Sequence, residues 1–523
     1  MTGFIKFFSY FFQANNKSRF STKLSTTYPL EQKYIKFLDY IWPIKSIEFP
    51  KFFCITLMMF CILCIQNLVR ALKDSIINTM IGTETIAFLK FWGVFPAAFL
   101  ITIIYVKLIN RMKNETIFYL IILFFLGFFL LFAFYLFPNY ERLHLKADDI
   151  NLLVSSYPHF KWFILLLSNW SFSLFYIIAE LWPNVVFALL FWQFVNSVTS
   201  VEESKRFYPL FGLLGQTGLC VSGQFLINLS VFNKYFAKSF NLQLSDNILS
   251  VQLILSVVII LGIITLIAFW ILNKKIIFIP EVKFIKLNPK KYSLTITQSL
   301  KMILSSRYIM LITTLLVCYG IAINLVEGPW KAAAAKIYKT PGEFAAFIGG
   351  YLSYTGIFTI LFVIIGSNIV RHVGWLTAAL ITPIMVLVTG LIFFSATNFD
   401  GFIELIIANF VLLDPVVLAI TIGAIQNVLS KSTKYTLFDS TKEMSYVPLD
   451  PELKTKGKAA ADVIGTKLGK SLSALLQSLI FMLIPTATYQ SISGYLMIIF
   501  ALVCIIWIWA VKELGKEYSK FTS

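Results

Sequence analysis

Residues 52–70 read FFCITLMMFCILCIQNLVR, and residues 308–327 read YIMLITTLLVCYGIAINLVE. Both stretches are apolar for long enough to begin a membrane-spanning helix, and both end in Asn-Leu-Val followed by a charged residue. The two copies are offset by 327 − 70 = 257 residues, close to half of the 523-residue chain. Internal repeats of this kind are typical of transporters, so the sequence predicts two similar halves that face one polar pathway.

The composition excludes a soluble globular protein. Hydrophobic residues make up 58% of the chain and charged residues only 13%, which is too much apolar surface for one soluble core. Apolar stretches of about 20 residues recur from Lys51 onward, so we expect an all-α membrane protein rather than a barrel of short alternating strands. The six cysteines lie within apolar stretches and show no disulfide or CxxC metal framework, so we expect neither disulfides nor a cysteine metal site.

The basic residues concentrate in two segments. The formal net charge is +18, and many of the lysines and arginines lie before residue 50 or between residues 274 and 306. Basic loops of a membrane protein stay in the cytoplasm, so topology explains this charge better than nucleic-acid binding does. We therefore expect both segments and both termini on the cytoplasmic side.

The apolar windows predict about twelve transmembrane helices in two six-helix halves, which is a major-facilitator-like arrangement. The window 161–199 is long for one crossing, so it is either one broken helix or two segments separated near Pro183. The predicted domains are a cytoplasmic arm (1–50), a first half (51–273), a basic cytoplasmic linker (274–306), a second half (307–511) and a cytoplasmic tail (512–523). The predicted spans are 52–72, 86–108, 116–137, 161–199, 208–230, 249–272, 308–327, 344–366, 373–396, 403–429, 459–484 and 490–511.

Two charges lie deep inside predicted spans. Each ionised side chain near the centre of a span costs about 2.5–3.5 kcal/mol on insertion scales. Glu180 is enclosed by apolar residues on both sides, so it either forms a structural ion pair or lines a wet substrate cavity, and we favour the cavity. Lys470 lies on nearly the same helix face as Lys467, three residues earlier, and two such cations favour a polyanion or carboxylate as counterion. The nearby Gly465 and Gly469 could serve close helix packing instead, but packing does not account for the lysines.

A second group of charges follows the repeated tripeptide. Near the outer ends of the first and seventh spans lie Arg70, Lys73, Glu327, Lys331 and Lys336, for which reaching out to the membrane interface is a serious alternative. The repeat symmetry favours function, because the first and fourth helices of each half would face one cavity and bring these residues toward Glu180 and Asp414. The predicted substrate-binding residues are Lys73, Glu180, Glu327, Lys470, Lys467, Arg70, Asn324, Lys331 and Asp414.

An enzyme is not predicted. The three histidines, His144, His159 and His372, lie in loops or at span ends, and no nucleophile or metal-binding pattern is present. The segment GTKLGKS at 465–471 has three residues between its first glycine and the Gly-Lys pair, whereas a phosphate loop needs four, and no strand precedes it. We expect no hydrolysis there, and no cofactor or metal anywhere in the chain.

Several strings together carry a family resemblance. They are Ala71-Leu72-Lys73-Asp74, Ala179-Glu180-Leu181-Trp182, KRFYPLFG at 205–212, Asn324-Leu325-Val326-Glu327, KEMSYVPLD at 442–450, and KGKAA at 456–460 leading to Leu468-Gly469-Lys470-Ser471. Because these strings occur in the order in which the family has them, the chain resembles the ATP/ADP translocases of obligate intracellular bacteria and plastids. The resemblance implies exchange of external ATP for internal ADP across a bacterial inner membrane, without hydrolysis, with Lys73, Glu180, Glu327 and Lys470 critical for transport.

The resemblance also has departures. Trp330-Lys331 runs into four alanines where further lysines are usual, and Pro183 replaces the glycine usual after Glu-Leu-Trp. These changes leave open the import of other ribonucleotides, such as GTP or GDP, UTP and CTP. A membrane scaffold or an enzyme that kept the fold is the alternative of another class. The expected partners are a nucleotide and the lipid bilayer, with no obligate protein partner and no nucleic acid.

Overall fold

In the computed structural model, the described residues form a bundle with twelve long helices. These residues are 44–522 apart from 46, 242, 277–302, 399–413, 451–452 and 454–456, and they contain no strand. Six long helices precede residue 277 and six follow residue 302. They are α1 Phe49–Met80, α2 85–111, α3 Asn114–Leu136, α4 Trp170–Val198, α5 Val201–Ile227, α6 246–276, α7 Arg307–Ile337, α8 Pro341–Val373, α9 Trp375–Asn398, α10 Pro415–Tyr446, α11 Lys458–Leu483 and α12 Tyr489–Thr522.

Hydropathy agrees with a multi-pass membrane protein. Ten of the twelve described helices are long and apolar enough to cross a membrane. The other two, α5 and α11, have similar lengths but carry charges such as Glu203 and Lys470. Large apolar side chains such as Phe99 and Leu123 are exposed, as expected where lipid rather than water is the solvent. The predicted all-α membrane fold is confirmed, whereas the predicted arm 1–50 and linker 274–306 lie mostly outside the described residues.

Helices α1 and α7 run farther than the sequence predicts. The predicted spans end at 72 and 327, but the helices continue to Met80 and Ile337. The added turns hold Lys73, Asp74 and Lys331, and all three are buried. A hydropathy window ends a predicted span where such charges occur, but here ion pairs stabilise the charges inside the bundle. Interfacial snorkelling is therefore the wrong explanation for Lys73, Glu327 and Lys331.

The predicted segment 161–199 is two helices, and the break falls at Asn169 rather than near Pro183. A short helix covers Lys161–Ser168, and α4 then runs to Val198. Pro183 begins a π-helical stretch within α4. The wider turns of a π-helix let the chain continue where proline lacks its amide hydrogen.

Helix α10 lies later in the chain than its predicted span, 403–429. It begins at Pro415 and continues to Tyr446, while residues 403–413 lie outside the described residues. Its later turns carry Lys431, Lys434 and Lys442, and each of these lysines forms an ion pair. The pairing allows a polar stretch to remain helical inside the bundle, and an apolar window cannot detect this.

Glycines allow two close helix contacts. Helices α5 and α8 meet at Gly223 and Gly349, where a Cβ on Gly223 would lie 2.5 Å from the Gly349 carbonyl oxygen. Helices α7 and α11 meet where a Cβ on Gly469 would lie 2.6 Å from the carbonyl oxygen of Val317. Backbones approach this closely only when small residues form the contact. Close packing therefore explains Gly469, and it holds the adjoining Lys470 near α7.

The two ends of the bundle differ in how they are held together. We call the end where α1 and α7 begin the proximal end, and the end where they finish the distal end. Among the described residues, the ion pairs of the proximal end join helices within the first six or within the last six, as in Glu48–Arg206, Lys51–Glu203, Arg307–Glu513 and Lys442–Asp462.

The polar contacts that join the first six helices to the last six lie toward the distal end in the described part of the chain. They are Arg70–Glu327, Asp74–Lys331, Lys90–Glu327, Lys90–Asn324, Glu84–Tyr489, His159–Met482 and Cys220–Ser353. The bundle is therefore clamped at one end. This is the geometry expected of one state of an alternating-access transporter.

Candidate substrate-binding site

We call the three ion pairs that join the first six helices to α7 the clamp; they are Arg70–Glu327, Asp74–Lys331 and Lys90–Glu327. Two of these pairs follow the sequence repeat. The Arg70 guanidinium lies 3.4 Å from the Glu327 carboxylate, and these residues are 327 − 70 = 257 positions apart. The Lys331 ammonium lies 2.9 Å from the Asp74 carboxylate, and 331 − 74 is again 257. Each of these two ion pairs thus joins two residues that are equivalent under the repeat, with the charges reversed between the copies. Equivalent residues meet in this way only close to the axis that relates the two copies.

Glu327 is shared by four cations. Its carboxylate lies 2.8 Å from the Lys431 ammonium, 3.4 Å from Arg70, 3.7 Å from Lys331 and 3.9 Å from Lys90. Lys331 and Lys431 belong to the last six helices, as Glu327 does, whereas Arg70 and Lys90 belong to the first six. One carboxylate cannot neutralise four cations, so this part of the bundle carries an excess of positive charge.

Lys73 forms a second group within the first six helices. Its ammonium lies 2.8 Å from Asp74, 3.0 Å from Glu180 and 3.9 Å from the centre of the Tyr176 ring. Lys73 is buried, with an exposed fraction of 3%. The Glu180 side chain is 27% exposed, so it is the member of this group that solvent or a ligand reaches.

Lys470 and Lys467 lie near the middle of α11, and both side chains are exposed. Neither forms an ion pair within the described residues. Lys470 lies close enough to Glu180 for electrostatic attraction between them to be appreciable, without direct contact. A solvated lysine in the middle of a helix that packs closely on α7 faces a polar cavity rather than lipid.

We define the central charge cluster as Arg70, Lys73, Lys90, Lys331, Lys431 and Lys470 with Asp74, Glu180 and Glu327. Six cations against three carboxylates leave an excess of 6 − 3 = 3 positive charges. Unneutralised cations within the membrane are costly. A bound polyanion would supply the missing charge, and phosphate oxygens are suited to lysine and arginine.

On the distal side of the cluster the bundle is nearly closed. A cavity of about 10 Å³ is lined by residues that include Thr83, Lys90, Asn324, Lys331, Gln477 and Tyr489. A cavity of this size holds about one water molecule. Among the described residues, this cavity is too small for a nucleotide while the ion pairs between α1 and α7 are formed.

The structure brings together most of the residues predicted from the sequence. Arg70, Lys73, Glu180, Glu327, Lys331 and Lys470 belong to the cluster, and Asn324 accepts a hydrogen bond of 2.6 Å from Lys90. Asp414 forms no ion pair with the cluster among the described residues, and its predicted role in substrate binding stays a prediction. It is exposed and caps α10, accepting hydrogen bonds from the backbone amides of Val416 and Val417. Lys467 lies one turn from Lys470 without a partner in the cluster.

Three members of the cluster were missed by sequence reasoning. Asp74 adjoins Lys73 and is offset by 257 residues from Lys331, so the repeat itself was a usable signal. Lys90 lies in a short π-helical stretch of α2, early in a predicted span, and a charge in that position was the signal. Lys431 lies two residues beyond the predicted span 403–429 and therefore looked like a loop residue. No group of metal-binding side chains occurs among the described residues.

The fold and this cluster define a class of protein, a multi-pass helical transporter. The crystal structure of a mutant of the nucleoside transporter NupG matches with a TM-score of 0.53, covering 88% of this chain and 99% of that chain, at 11% sequence identity. At that identity the match concerns the fold alone, and it confirms the predicted major-facilitator-like arrangement.

The sequence comparisons give the family. The family model described as TLC ATP/ADP transporter matches residues 28–518. The chain is 68% identical over 489 residues to "ADP,ATP carrier protein 4" of Rickettsia felis, and 68% identical over 489 residues to the protein of the same name from Rickettsia prowazekii. Each alignment covers 94% of this chain and 96% of the relative. The chain therefore belongs to the TLC ATP/ADP transporter family, which confirms the resemblance stated from its motifs.

Proposed function

We propose that this protein is a nucleotide antiporter that exchanges external ATP for internal ADP by alternating access, without hydrolysing either nucleotide. The observation that carries the proposal is the excess of three positive charges in the central charge cluster. A di- or triphosphate chain is the common metabolite group that supplies several negative charges in one ligand. The choice of adenine rests on the family and on the names of the Rickettsia relatives.

The proposed setting is a bacterial inner membrane, with both termini in the cytoplasm. Basic segments before residue 50 and between 274 and 306 support this orientation, because such segments are retained in the cytoplasm. The proximal end then faces the cytoplasm and the distal end faces outward. The proposed partners are the nucleotide and the lipid bilayer, and the chain acts as a carrier rather than as an enzyme.

In the proposed cycle each group of charges has a separate role. Lys470 and Arg70 attract phosphate oxygens as the nucleotide enters from the cytoplasm. Glu180, with its side chain partly exposed, accepts hydrogen bonds from ribose hydroxyls or amino groups while Lys73 holds it in place. The ion pairs between α1 and α7 must break before the distal end opens, and they re-form when it closes.

Uptake into intact cells that express the protein tests the proposal. Radiolabelled ATP should accumulate and should then leave when unlabelled ADP is added outside. Unlabelled GTP, UTP and CTP are included as competitors, and stronger competition by one of them than by ATP and ADP would refute the adenine assignment. If no nucleotide accumulates although the protein is present in the membrane, nucleotide transport itself is refuted.

Replacement of Lys470 tests the phosphate role. We expect Lys470→Ala to reduce ATP uptake about tenfold or more, because a charge-assisted contact to phosphate is lost. The exposed Lys520→Ala, near the end of α12, is the matched control and should leave uptake unchanged. Unchanged uptake and an unchanged competition profile in Lys470→Ala would remove Lys470 from the site.

A further inference from the structure

Lys90 differs from the other lysines that pair with Glu327 or Asp74 in where its partners lie. Its ammonium donates a 2.6 Å hydrogen bond to the Asn324 side chain and lies 3.9 Å from Glu327, and both partners are on α7. Lys90 itself is on α2, within the first six helices. The described part of the first six helices offers it no carboxylate within ion-pairing distance. The anionic contact that Lys90 makes among the described residues therefore crosses the clamp.

Arg70 also has its anionic partner across the clamp, whereas Lys73, Lys331 and Lys431 each keep a carboxylate within their own set of six helices. Among the described residues, Arg70 pairs only with Glu327 across the clamp, at 3.4 Å. Lys73 keeps Asp74 and Glu180 as partners within the first six helices. Lys331 and Lys431 keep Glu327 as a partner within the last six helices. When the two sets of helices separate at the distal end, Arg70 and Lys90 are the cations of the clamp that lose their anion.

An unpaired cation within a membrane protein needs water or a new anion. The Arg70 and Lys90 side chains are 35% and 22% exposed even in the closed state, so a ligand that arrives as the clamp opens can reach them. Lys90 also lies in a π-helical stretch, a wide turn that often occurs at functional sites. We propose that Lys90, together with Arg70, binds the phosphate chain of a nucleotide that enters from the distal side, in place of Glu327.

This inference rests on the proposed nucleotide exchange and adds a consequence to it. With a nucleotide bound, the phosphate oxygens replace the Glu327 carboxylate, so opening the distal end leaves no cation bare. Without a nucleotide, Arg70 and Lys90 both lose the Glu327 carboxylate with nothing to replace it, and the open state is disfavoured. The transporter then returns loaded rather than empty, which is what distinguishes exchange from a leak.

The test compares Lys90→Gln with the unchanged protein in intact cells. The first measurement is the concentration of external ATP, ADP or AMP that halves the uptake of labelled nucleotide. We expect Lys90→Gln to weaken inhibition by ATP about tenfold and inhibition by AMP much less, because the lost contact is to the longer phosphate chain. The second measurement is the efflux of preloaded label into nucleotide-free buffer, which should rise in Lys90→Gln because an open empty state no longer leaves that cation bare.

Two further variants make the result decisive. Lys90→Arg keeps the charge and should restore the preference for longer phosphate chains. Lys107→Gln removes an exposed lysine from the proximal part of the same helix and should change neither measurement. If Lys90→Gln reduces uptake without changing either the order of inhibitors or the efflux, Lys90 is only structural and the inference is overturned. If the unchanged protein takes up no nucleotide at all, the proposed function fails instead.

Discussion

The proximal and distal ends of this bundle use similar ion pairs for opposite purposes. At the proximal end Glu48 and Lys51 bind α1 to α5, so each pair stays within the first six helices. At the distal end Arg70 and Asp74 bind α1 to α7, so each pair joins the two sets. The first kind of pair survives a relative movement of the two sets, and the second kind must break. A salt bridge therefore either stabilises the packing within one set of six helices or holds the two sets together, depending on which helix carries the partner.

The largest effect is expected at Glu327, where four cations share one carboxylate. Glu327→Gln leaves Arg70 without its only ion-pair partner among the described residues, and Lys431 without its carboxylate. Removing one partner of a buried ion pair costs about 3–5 kcal/mol, so we expect exchange to fall about 100-fold or more. Labelled ATP uptake measures this. Glu141→Gln, an exposed carboxylate in a loop helix, is the matched control, and near-normal uptake in Glu327→Gln would break the comparison between the ends.

A crosslink across the distal end should abolish exchange reversibly. The Cys220 sulfur lies 3.8 Å from the carbonyl oxygen of Ser353, which joins α5 to α8 beside their close glycine contact. Ser353→Cys places a second thiol near that of Cys220. A membrane-permeant oxidant should link the two thiols and hold the distal end closed. Uptake should then be lost on oxidation and return on reduction.

The control for the crosslink is the same substitution combined with Cys220→Ala. This variant cannot form the bond, so oxidation should not change its uptake. If the crosslinked protein, with linkage shown by mass spectrometry, still exchanges nucleotide at the normal rate, the distal end does not have to open.

A smaller effect is expected at Lys431, which stays with Glu327 when the two sets of helices separate. Lys431→Gln removes a contact of 2.8 Å but leaves Lys331 beside Glu327. We expect uptake to fall about tenfold, which is less than for Glu327→Gln. Lys336→Gln, an exposed lysine near the end of α7, should have little effect. A loss of uptake in Lys431→Gln as large as that in Glu327→Gln would show that Lys431 takes part in the clamp.

The smallest effect is expected at the proximal end. Burial raises the pKa of the Glu48 carboxyl, but hydrogen bonds from Arg206 and Lys45 outweigh it and hold the pKa below its usual range. This contribution to stability is therefore present at neutral pH and is lost as the pH falls through the lowered pKa. Glu48→Gln should lower stability by about 1 kcal/mol or less and leave exchange nearly unchanged.

Thermal unfolding of the purified protein checks the Glu48 prediction. The difference in Tm between Glu48→Gln and the unchanged protein should be present at pH 7. It should begin to shrink as the pH falls toward about 4, where a carboxyl of ordinary pKa takes up its proton, and should vanish only below the lowered pKa of Glu48. A Tm difference that grows as the pH falls would show that the carboxylate destabilises the fold.

Much of the fold could be predicted because lipid imposes a simple rule on the sequence. Spans such as α3 and α9 are apolar over nearly their whole length, so windows of hydropathy locate them well. The rule failed where charges are paired inside the bundle, as in α10, and where a π-helical stretch carries the chain past Pro183. Glu180 and Lys470 could be identified from cost alone, since an apolar neighbourhood makes their charge conspicuous.

The sequence by itself determined the all-α membrane class, the repeat, the family and the deep charges Glu180 and Lys470, because composition and motif spacing are local properties. Only the tertiary structure decided the partners. It paired Arg70 with Glu327 and Asp74 with Lys331, added Lys90 and Lys431 to the central charge cluster, and showed Asp414 as the cap of α10. The residues next to a charge do not indicate which partner it will have, because helices far apart in the chain meet only when the bundle packs.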